Sequence, residues 1–249
     1  MTEPLRPSEL LERTGHRSIP PPLGRWNFYQ EWVDVIFLHY QVDPAILRSM
    51  VPQELEIDLL EEKAWVSVVA FTMRNVRPSW LPAWSPVSDF HEVNVRTYVR
   101  SRKGTAGVYF LSIDAAKWVS VALARILSAL PYRKADIGRG RAPNTWFEAR
   151  TKAGMHLQLE YRNTRPMICT TLLDRWLVER YALFESYRKA VWCYEVHHLP
   201  WPLHALRIDH LHFAPSEDLL SLGLSNKPHL THGSSGVQVL SWPRTRVSG

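Results

Sequence analysis

The sequence predicts a mainly β protein with short helices, an α+β chain whose strands form an antiparallel, barrel-like sheet. About a dozen segments have the composition or the two-residue alternation of strands, and three or four short segments have helical spacing. These segments do not follow the regular strand, helix, strand order of a parallel sheet. A length of 249 residues with 45% hydrophobic content suffices for one large domain.

The chain divides into a predicted N-terminal arm, residues 1–31, and a single domain, residues 32–249. Three consecutive prolines from Pro20 exclude regular structure from part of the arm, although its SELLER segment fits a helical turn. The domain opens with the strand WVDVIFLHYQV. Asp43 before Pro44 is a typical helix start, so PAILRSMV is predicted to be a short helix that ends before Pro52.

The segments ELEIDLL and AWVSVVAFTM are predicted strands, followed by a proline-rich loop that carries Trp80 and Trp84. The next strand, in SDFHEVNVRTYVR, has one mostly apolar face and one polar face. GVYFLSIDA follows it in a hairpin. Asp114 is then placed to cap a helix over AAKWVSVALARILSAL.

The second half continues with the hairpin NTWFEARTK and MHLQLEYR, a helix in TTLLDRWLVERY, and strands in KAVWCYEVHHL and LHALRIDHLHFA. A short helix after Ser216 and a strand near GVQVLSW complete the domain. The GSSG run from Gly233 to Gly236 lacks the context of a nucleophile elbow, and we expect a flexible loop there.

Charge and cysteine content narrow the function classes. The net charge of +6 is spread along the chain without a basic block, which is weak evidence for nucleic-acid binding, and no nucleic-acid partner is expected. Cys169 and Cys193 have no metal or disulfide spacing, so both are expected to be buried, reduced thiols. The first residues lack a signal-peptide core, and no apolar run is long enough for a membrane span. We therefore expect a cytoplasmic protein without a membrane partner.

Six segments carry a resemblance to a known family: FLHYQVDPAILRSMVPQELEID, AWVSVVAFTM, FHEVNVRTYV, GVYFLSIDA, LPYRKADI and HHLPWPLHAL, in this order. They resemble the YqjF-like family of uncharacterised bacterial proteins over about residues 26–242. That family is grouped with the acetoacetate decarboxylase-like superfamily. The resemblance implies a closed antiparallel β-barrel around an internal cavity.

Acetoacetate decarboxylases form a Schiff base through a lysine in a proline-lysine-lysine segment after a helix. The similar segment here reads Pro131, Tyr132, Arg133 and Lys134, so the lysine is absent from its expected position. Lys134 is shifted along the strand, where its side chain points to the opposite face. A solvated strand lysine is the simpler interpretation of Lys134.

The resemblance also implies that the polar face of FHEVNVRTYV lines the interior. Glu92 matches the glutamate of an aromatic-x-glutamate strand, and Arg96 offers a planar fork for a carboxylate. We expect Glu92 and Arg96 as catalytic residues. The expected ligand-binding residues are Asn94, Tyr98, Arg133, His39 and Trp65. Two simpler alternatives stay open: a solvent-facing strand with a surface ion pair, and core roles for His39 and Trp65.

The resulting hypothesis is a protein that binds a small carboxylated or carbonyl-bearing molecule. If it is an enzyme, Glu92 would act as the base beside a carbonyl and Arg96 would stabilise the oxyanion, a lyase or isomerase chemistry without a Schiff base. No cofactor or metal is expected, since His210 and His212 have no clear third ligand. The rivals are a ligand-sensing module without turnover and, more weakly, a nucleic-acid binder. A homo-oligomer is compatible with the sequence.

Overall fold

The computed structural model describes residues 4–17, 19–116, 133–141 and 144–247. These ranges hold thirteen strands, and the mainly β fold class is confirmed. The strands are β1 (Phe28–Val42), β2 (Leu55–Ile57), β3 (Ala64–Pro78), β4 (Phe90–Ser101), β5 (Ala106–Ala115), β6 (Arg133–Gly140), β7 (Thr145–Thr151), β8 (His156–Pro166), β9 (Ala182–Tyr187), β10 (Ala190–His197), β11 (Leu203–Ala214), β12 (Leu230–Ser241) and β13 (Thr245–Arg246).

The described helices are short. They are α1 (Pro7–Glu12), α2 (Pro44–Arg48), α3 (Ser85–Ser88), α4 (Leu172–Val178) and a 3-10 helix (Glu217–Leu222). The Asp43 carboxylate accepts a hydrogen bond from the Ala45 amide at 2.8 Å, so the predicted cap of α2 is confirmed. Most of the helix predicted after Asp114 lies outside the described residues, and Asp114 itself belongs to β5. None of the described helices has the length and hydropathy needed to cross a bilayer.

The sheet closes on itself. Hydrogen-bonded pairing runs through nine strands, β4, β5, β6, β7, β8, β11, β12, β1 and β3, and returns to β4. All of these pairings are antiparallel except the short parallel contact between β5 and β6. The closed β-barrel implied by the resemblance is therefore confirmed.

A second closure uses β9 and β10. Strand β5 also pairs with β9 at Val108 and Leu183, and β12 also pairs with β10 at Ser241 and Val196. Since β9 pairs with β10, these contacts complete a seven-strand circuit that includes β1, β3, β4, β5 and β12. These five strands belong to both circuits, and we call them the shared wall.

Both faces of the shared wall are buried. Odd-numbered residues of β4 such as Val93 and Val95 pack into a core with β6, β7, β8 and β11. The opposite face belongs to a second core, the interior cluster, with members from all seven strands of the smaller circuit. These members include Phe37, Trp65, Tyr98, Val108, Leu183, Tyr194 and Val239. The solvent-facing alternative for β4 is therefore wrong, because Glu92, Asn94, Arg96 and Tyr98 are all buried.

The flexible loop expected at Gly233 to Gly236 is wrong, because this run lies inside β12 and pairs with β1. Gly236 has a φ of 123°, and a Cβ there would overlap the Trp32 carbonyl oxygen. The glycine therefore permits close approach of two strands beside the β-bulge of β1, where Asp34 has a φ of 53°. Gly236 is thus explained by the close packing of two strands, and not by a loop.

Two further expectations are modified. Strand β1 begins at Phe28, so the last residues of the predicted N-terminal arm are part of the sheet. The arm is also anchored, since Leu10 of α1 is buried in a small core with Tyr29. Cys193 is buried and Cys169 is exposed; both are free thiols, so the expectation of burial is wrong for Cys169.

Candidate functional site

The candidate site is the polar part of the interior cluster. Antiparallel register places His39 of β1 opposite Ser67 of β3, and Ser67 opposite Arg96 of β4. One row of the shared wall therefore carries an imidazole, a hydroxyl and a guanidinium on neighbouring strands. Asn94 and Glu92 follow along β4 on the same face.

Arg96 is a buried cation whose donors are only partly used. Its Nε and Nη2 groups have no hydrogen-bond partner within the described part of the chain. The guanidinium lies 5.5 Å from the ring centroid of Phe37, and it interacts with Tyr98 by charge and by a side-chain hydrogen bond. Burial lowers the pKa of Arg96, and Tyr98 partly offsets that effect. A buried cation with open donors favours an anionic ligand, because leaving it unpaired is costly.

Glu92 and Asn94 form a connected pair beside this cation. The Asn94 Nδ2 group donates to Glu92 Oε1 at 3.0 Å. The Asn94 Oδ1 atom is buried and has no partner among the described atoms. The pair therefore offers an amide acceptor and a carboxylate on one side of Arg96.

A buried hydrogen-bond chain lies on the other side, and we call it the relay. His232 Nε2 lies 2.8 Å from Asp174 Oδ1, and His232 Nδ1 lies 3.0 Å from His39 Nε2. His39 Nδ1 is 2.6 Å from Ser67 Oγ, which is 2.6 Å from the Tyr98 hydroxyl. Asp174 is fixed by the first turn of α4, because its Oδ2 accepts from the Thr171 amide and hydroxyl.

The protonation states in the relay follow from this chain. Burial alone would raise the pKa of Asp174, but hydrogen bonds from Thr171 and His232 outweigh it and lower that pKa. Burial lowers the pKa of His232, and it lowers the pKa of His39 well below the ordinary value, with further lowering by His232 and Arg96. The relay thus pairs an ionised carboxylate with two neutral imidazoles.

The remaining predicted residues divide between the interior and other places. Trp65 belongs to the interior cluster, and its Nε1 group has no partner in the described ranges. Arg133 does not join this cluster: its guanidinium binds both Asp114 oxygens, at 3.2 and 3.1 Å, and Asp114 faces the other core with Val93. Lys134 is exposed on β6, in agreement with the interpretation as a solvated lysine.

Sequence reasoning missed Ser67, Asp174 and His232. The alternation of β3 places Ser67 on the same face as Trp65, but one serine in an apolar strand carries no functional signal. Asp174 could be found only as part of the capping box that begins at Thr171. His232 directly precedes the Gly233 to Gly236 run that was predicted as a flexible loop, so its pairing with Phe37 of β1 was not foreseeable.

An open groove outside the barrel is a weaker candidate. It encloses about 460 Å³ between the start of α2, the turn before β3 and the 3-10 helix. Its lining is Gln41, Val42, Asp43, Pro44, Ile46, Glu62, Lys63, Ser221, Leu222, Gly223 and His229. The interior cluster is the stronger candidate, because it contains buried donors and acceptors that a ligand would satisfy. No group of three or more metal-ligating side chains is found within the described ranges.

The chain is similar to several solved structures over nearly its full length. An acetoacetate decarboxylase-like enzyme from Sphingomonas wittichii RW1 aligns with a TM-score of 0.61 and 17% identity, covering 95% of this chain and 97% of that one. The acetoacetate decarboxylase of Legionella pneumophila gives 0.61 and 14%, covering 96% and 95%. The enduracididine biosynthesis enzyme MppR, solved in complex with pyruvate, gives 0.60 and 13%, covering 94% and 93%. At these identities the likeness shows the fold.

Sequence similarity shows the family. The chain is 34% identical to the uncharacterized protein YqjF of Bacillus subtilis (strain 168) over 244 residues, which cover 96% of this chain and 100% of that protein. Residues 29–238 match the model of DUF2071, described as an uncharacterized conserved protein. The match includes every residue of the relay. The chain therefore belongs to the YqjF-like, DUF2071 family of bacterial proteins with an acetoacetate decarboxylase-like barrel.

Proposed function

We propose that this protein binds a small carboxylate that also carries a carbonyl group, inside the seven-strand circuit beside Arg96. The observation that carries the proposal is the pair of open donors on the buried Arg96 guanidinium. Nε and Nη2 form one edge of the planar fork, and this edge matches the spacing of two carboxylate oxygens. A ligand carboxylate at this edge would neutralise the buried charge and accept the two hydrogen bonds for which the described protein atoms provide no acceptor.

The neighbouring groups would select the rest of the ligand. Asn94 Oδ1 is an open acceptor for a hydroxyl or an enol, and Tyr98 and Trp65 supply a phenol and an indole N–H from the same cluster. In the catalytic form of the proposal, Glu92 takes a proton from the carbon next to the carbonyl, and Arg96 stabilises the oxyanion that develops. This chemistry needs no amine, which fits the exposed position of Lys134.

The relatives support the choice of probe. MppR was solved with pyruvate, and also with the condensation product of pyruvate and imidazole 4-carboxaldehyde. Pyruvate combines the two groups that the proposal requires. Acetone has the carbonyl without the carboxylate, and it serves as the matched negative ligand.

Calorimetric titration of the full chain with pyruvate, acetoacetate and acetone tests the proposal. We expect the two keto acids to bind and acetone not to bind. Arg96→Lys keeps the charge but removes the two-pronged donor, so the Kd should rise by about tenfold or more. Arg102→Lys, in the exposed turn after β4, is the control and should bind as the wild type does.

Two outcomes would contradict the proposal. One is that neither keto acid binds to the wild-type protein. The other is that Arg96→Lys retains the wild-type affinity, which would place the carboxylate elsewhere, for example in the open groove beside Lys63.

A further inference from the structure

The relay has a fixed direction. The Asp174 carboxylate can only accept, so His232 must carry its proton on Nε2 and accept at Nδ1. His39 then donates from Nε2 to His232 and accepts at Nδ1 from the Ser67 hydroxyl. Each link from Ser67 onward therefore points its proton toward Asp174, which makes the Ser67 oxygen a better acceptor for the last group of the chain.

That free end is Tyr98. Its hydroxyl donates to the Leu177 carbonyl oxygen at 2.9 Å and lies 2.6 Å from Ser67 Oγ, so its single proton has two acceptors within reach, and the same phenol interacts with Arg96. Tyr98 follows Arg96 on the same face of β4, whereas Glu92 precedes it. A ligand held by Arg96 would therefore have a proton-transfer group on each side.

We propose that the relay from Asp174 through His232, His39 and Ser67 makes Tyr98 a second base of this site, opposite Glu92. Tyr98 is the catalytic residue because it would touch the ligand, and the other four members are positioning residues. The inference rests on the proposed function for the ligand that Arg96 holds. It adds proton transfer from two sides, which is the arrangement of an isomerase acting next to a carbonyl.

The step balances without a co-reactant. The proton of the ligand carbon moves to the Tyr98 oxygen, and the electron pair of that C–H bond stays on the ligand as an enolate beside Arg96. The Tyr98 hydroxyl proton turns from the Leu177 carbonyl oxygen and moves to Ser67, and the Ser67 proton moves to His39 Nδ1. The His39 Nε2 proton moves to His232 Nδ1, and the His232 Nε2 proton moves to Asp174. Every middle group keeps its charge, which suits a fully buried chain.

Exchange of the pyruvate methyl protons with D2O, followed by proton NMR on protein equilibrated in D2O, measures this step. Ser67→Ala interrupts the relay while Arg96 and Glu92 stay in place. We expect at least a tenfold slower exchange with a Kd for pyruvate within about twofold of the wild type. Ser112→Ala is the matched control: Ser112 is a buried serine of β5 opposite Val95, outside the interior cluster, and this variant should exchange at the wild-type rate.

The failure of the relay and the failure of the proposed function are separable. If Ser67→Ala exchanges at the wild-type rate, or if the wild type binds pyruvate without exchange, the relay is wrong and the binding site stands. If the wild type does not bind keto acids, the proposed function fails. The relay is then decided by nitrogen-15 NMR of labelled histidine, which should show both rings neutral with the proton on Nε2. A proton on Nδ1 of His39 or His232 would overturn the relay.

Discussion

The Nε2 atom of His39 lies 3.0 Å from the Nδ1 atom of His232, and neither side chain is exposed to solvent. At this distance one imidazole donates a hydrogen bond to the other. A second proton on either ring would place a positive charge close to the neighbouring imidazole. For His39, burial is the largest cause of the lowered pKa, followed by the nearby His232 and Arg96.

This lowered pKa predicts an acid-dependent loss of stability. The unfolded chain binds a proton at His39 near pH 6.5 and the folded chain does not, so the free energy of unfolding falls as the pH drops below that value. In His39→Gln this contribution is missing. As the pH drops from 6.5 to 5, the free energy of unfolding of the variant should rise relative to that of the wild type by about 1 kcal/mol per pH unit. Urea unfolding at several pH values measures the free energy of unfolding, with His210→Gln at an exposed position as the control. If the pH profiles of His39→Gln and the wild type were parallel, the prediction would be wrong.

Glu92→Gln separates binding from turnover. The amide keeps the size of the side chain but cannot take a proton. Exchange with D2O needs one base to remove a methyl proton and the opposite base to return a deuteron, so it should fall by about 100-fold. The Kd for pyruvate should change by less than about threefold, since Arg96 supplies the anchor. Proton NMR and calorimetry give the two numbers. Unchanged exchange would remove Glu92 from the mechanism, and loss of binding alone would make it a ligand contact.

Lys134 provides a test for the absence of Schiff-base chemistry on β6. Its side chain is exposed to solvent, whereas an amine that forms a Schiff base is activated in a desolvated pocket. Borohydride reduction in the presence of pyruvate should leave this position unlabelled in a peptide mass spectrum. The matched comparison is Lys63 in the open groove, which should be equally unlabelled. A reduced pyruvate adduct confined to Lys134 would contradict the proposed mechanism.

Glu185 is predicted to weaken the fold as the pH rises. Its carboxyl group is buried on β9, accepts from Tyr194 at 2.9 Å, and has a pKa raised to about 7, mainly by burial. The folded chain keeps this proton between about pH 4.5 and 7 while the unfolded chain loses it, so stability falls across that range. At pH 7.5 the free energy of unfolding of Glu185→Gln, relative to that of the wild type, should therefore be higher than at pH 4.5 by on the order of 2 to 3 kcal/mol.

Denaturant unfolding at pH 4.5 and 7.5 checks this prediction, and Glu217→Gln at an exposed position is the control. If the difference between Glu185→Gln and the wild type were the same at both pH values, the buried carboxyl group would not titrate in this range.

Gly107 is predicted to hold the second closure of the sheet. A Cβ at this position would overlap the Ala182 carbonyl oxygen and approach Phe184 Cε2 at 2.8 Å. Gly107→Ala should therefore push β5 and β9 apart and lower the free energy of unfolding by about 1 to 3 kcal/mol. Gly15→Ala, where a Cβ meets nothing within 4 Å, is the control. Equal melting temperatures for the two variants would contradict the close contact.

Local patterns predicted the strands and the inward polar face, but not the route of the sheet. The alternation in β4 identified Glu92, Asn94, Arg96 and Tyr98 as one face, because a strand places every second side chain on the same side. The two closures depend on contacts such as Val108 with Leu183, which are far apart in the chain. No local pattern encodes such pairings. Strand β9, with the sequence ALFESY, was missed for a related reason, because it follows a predicted helix directly and has no clear turn before it.

The relay was not predictable because its five members come from five separate elements. His39 and Ser67 meet only through the register of β1 and β3, and Asp174 reaches His232 only because α4 packs against the barrel. Each residue alone has a common structural explanation, such as a core histidine or a helix cap. Their combination becomes visible only when the distances between their atoms are known.

The shared wall has a mechanical consequence. Most sheets that bind a ligand on one face can bend toward water on the other, but here the opposite face carries a second packed core. Any shift of β3 or β4 that makes room beside Arg96 must also displace Val93 and Val95 on the far side. If the proposed ligand enters beside Arg96, the cost of making room for it is shared by the two packed cores, and the stiffness of one core contributes to the selectivity of the other.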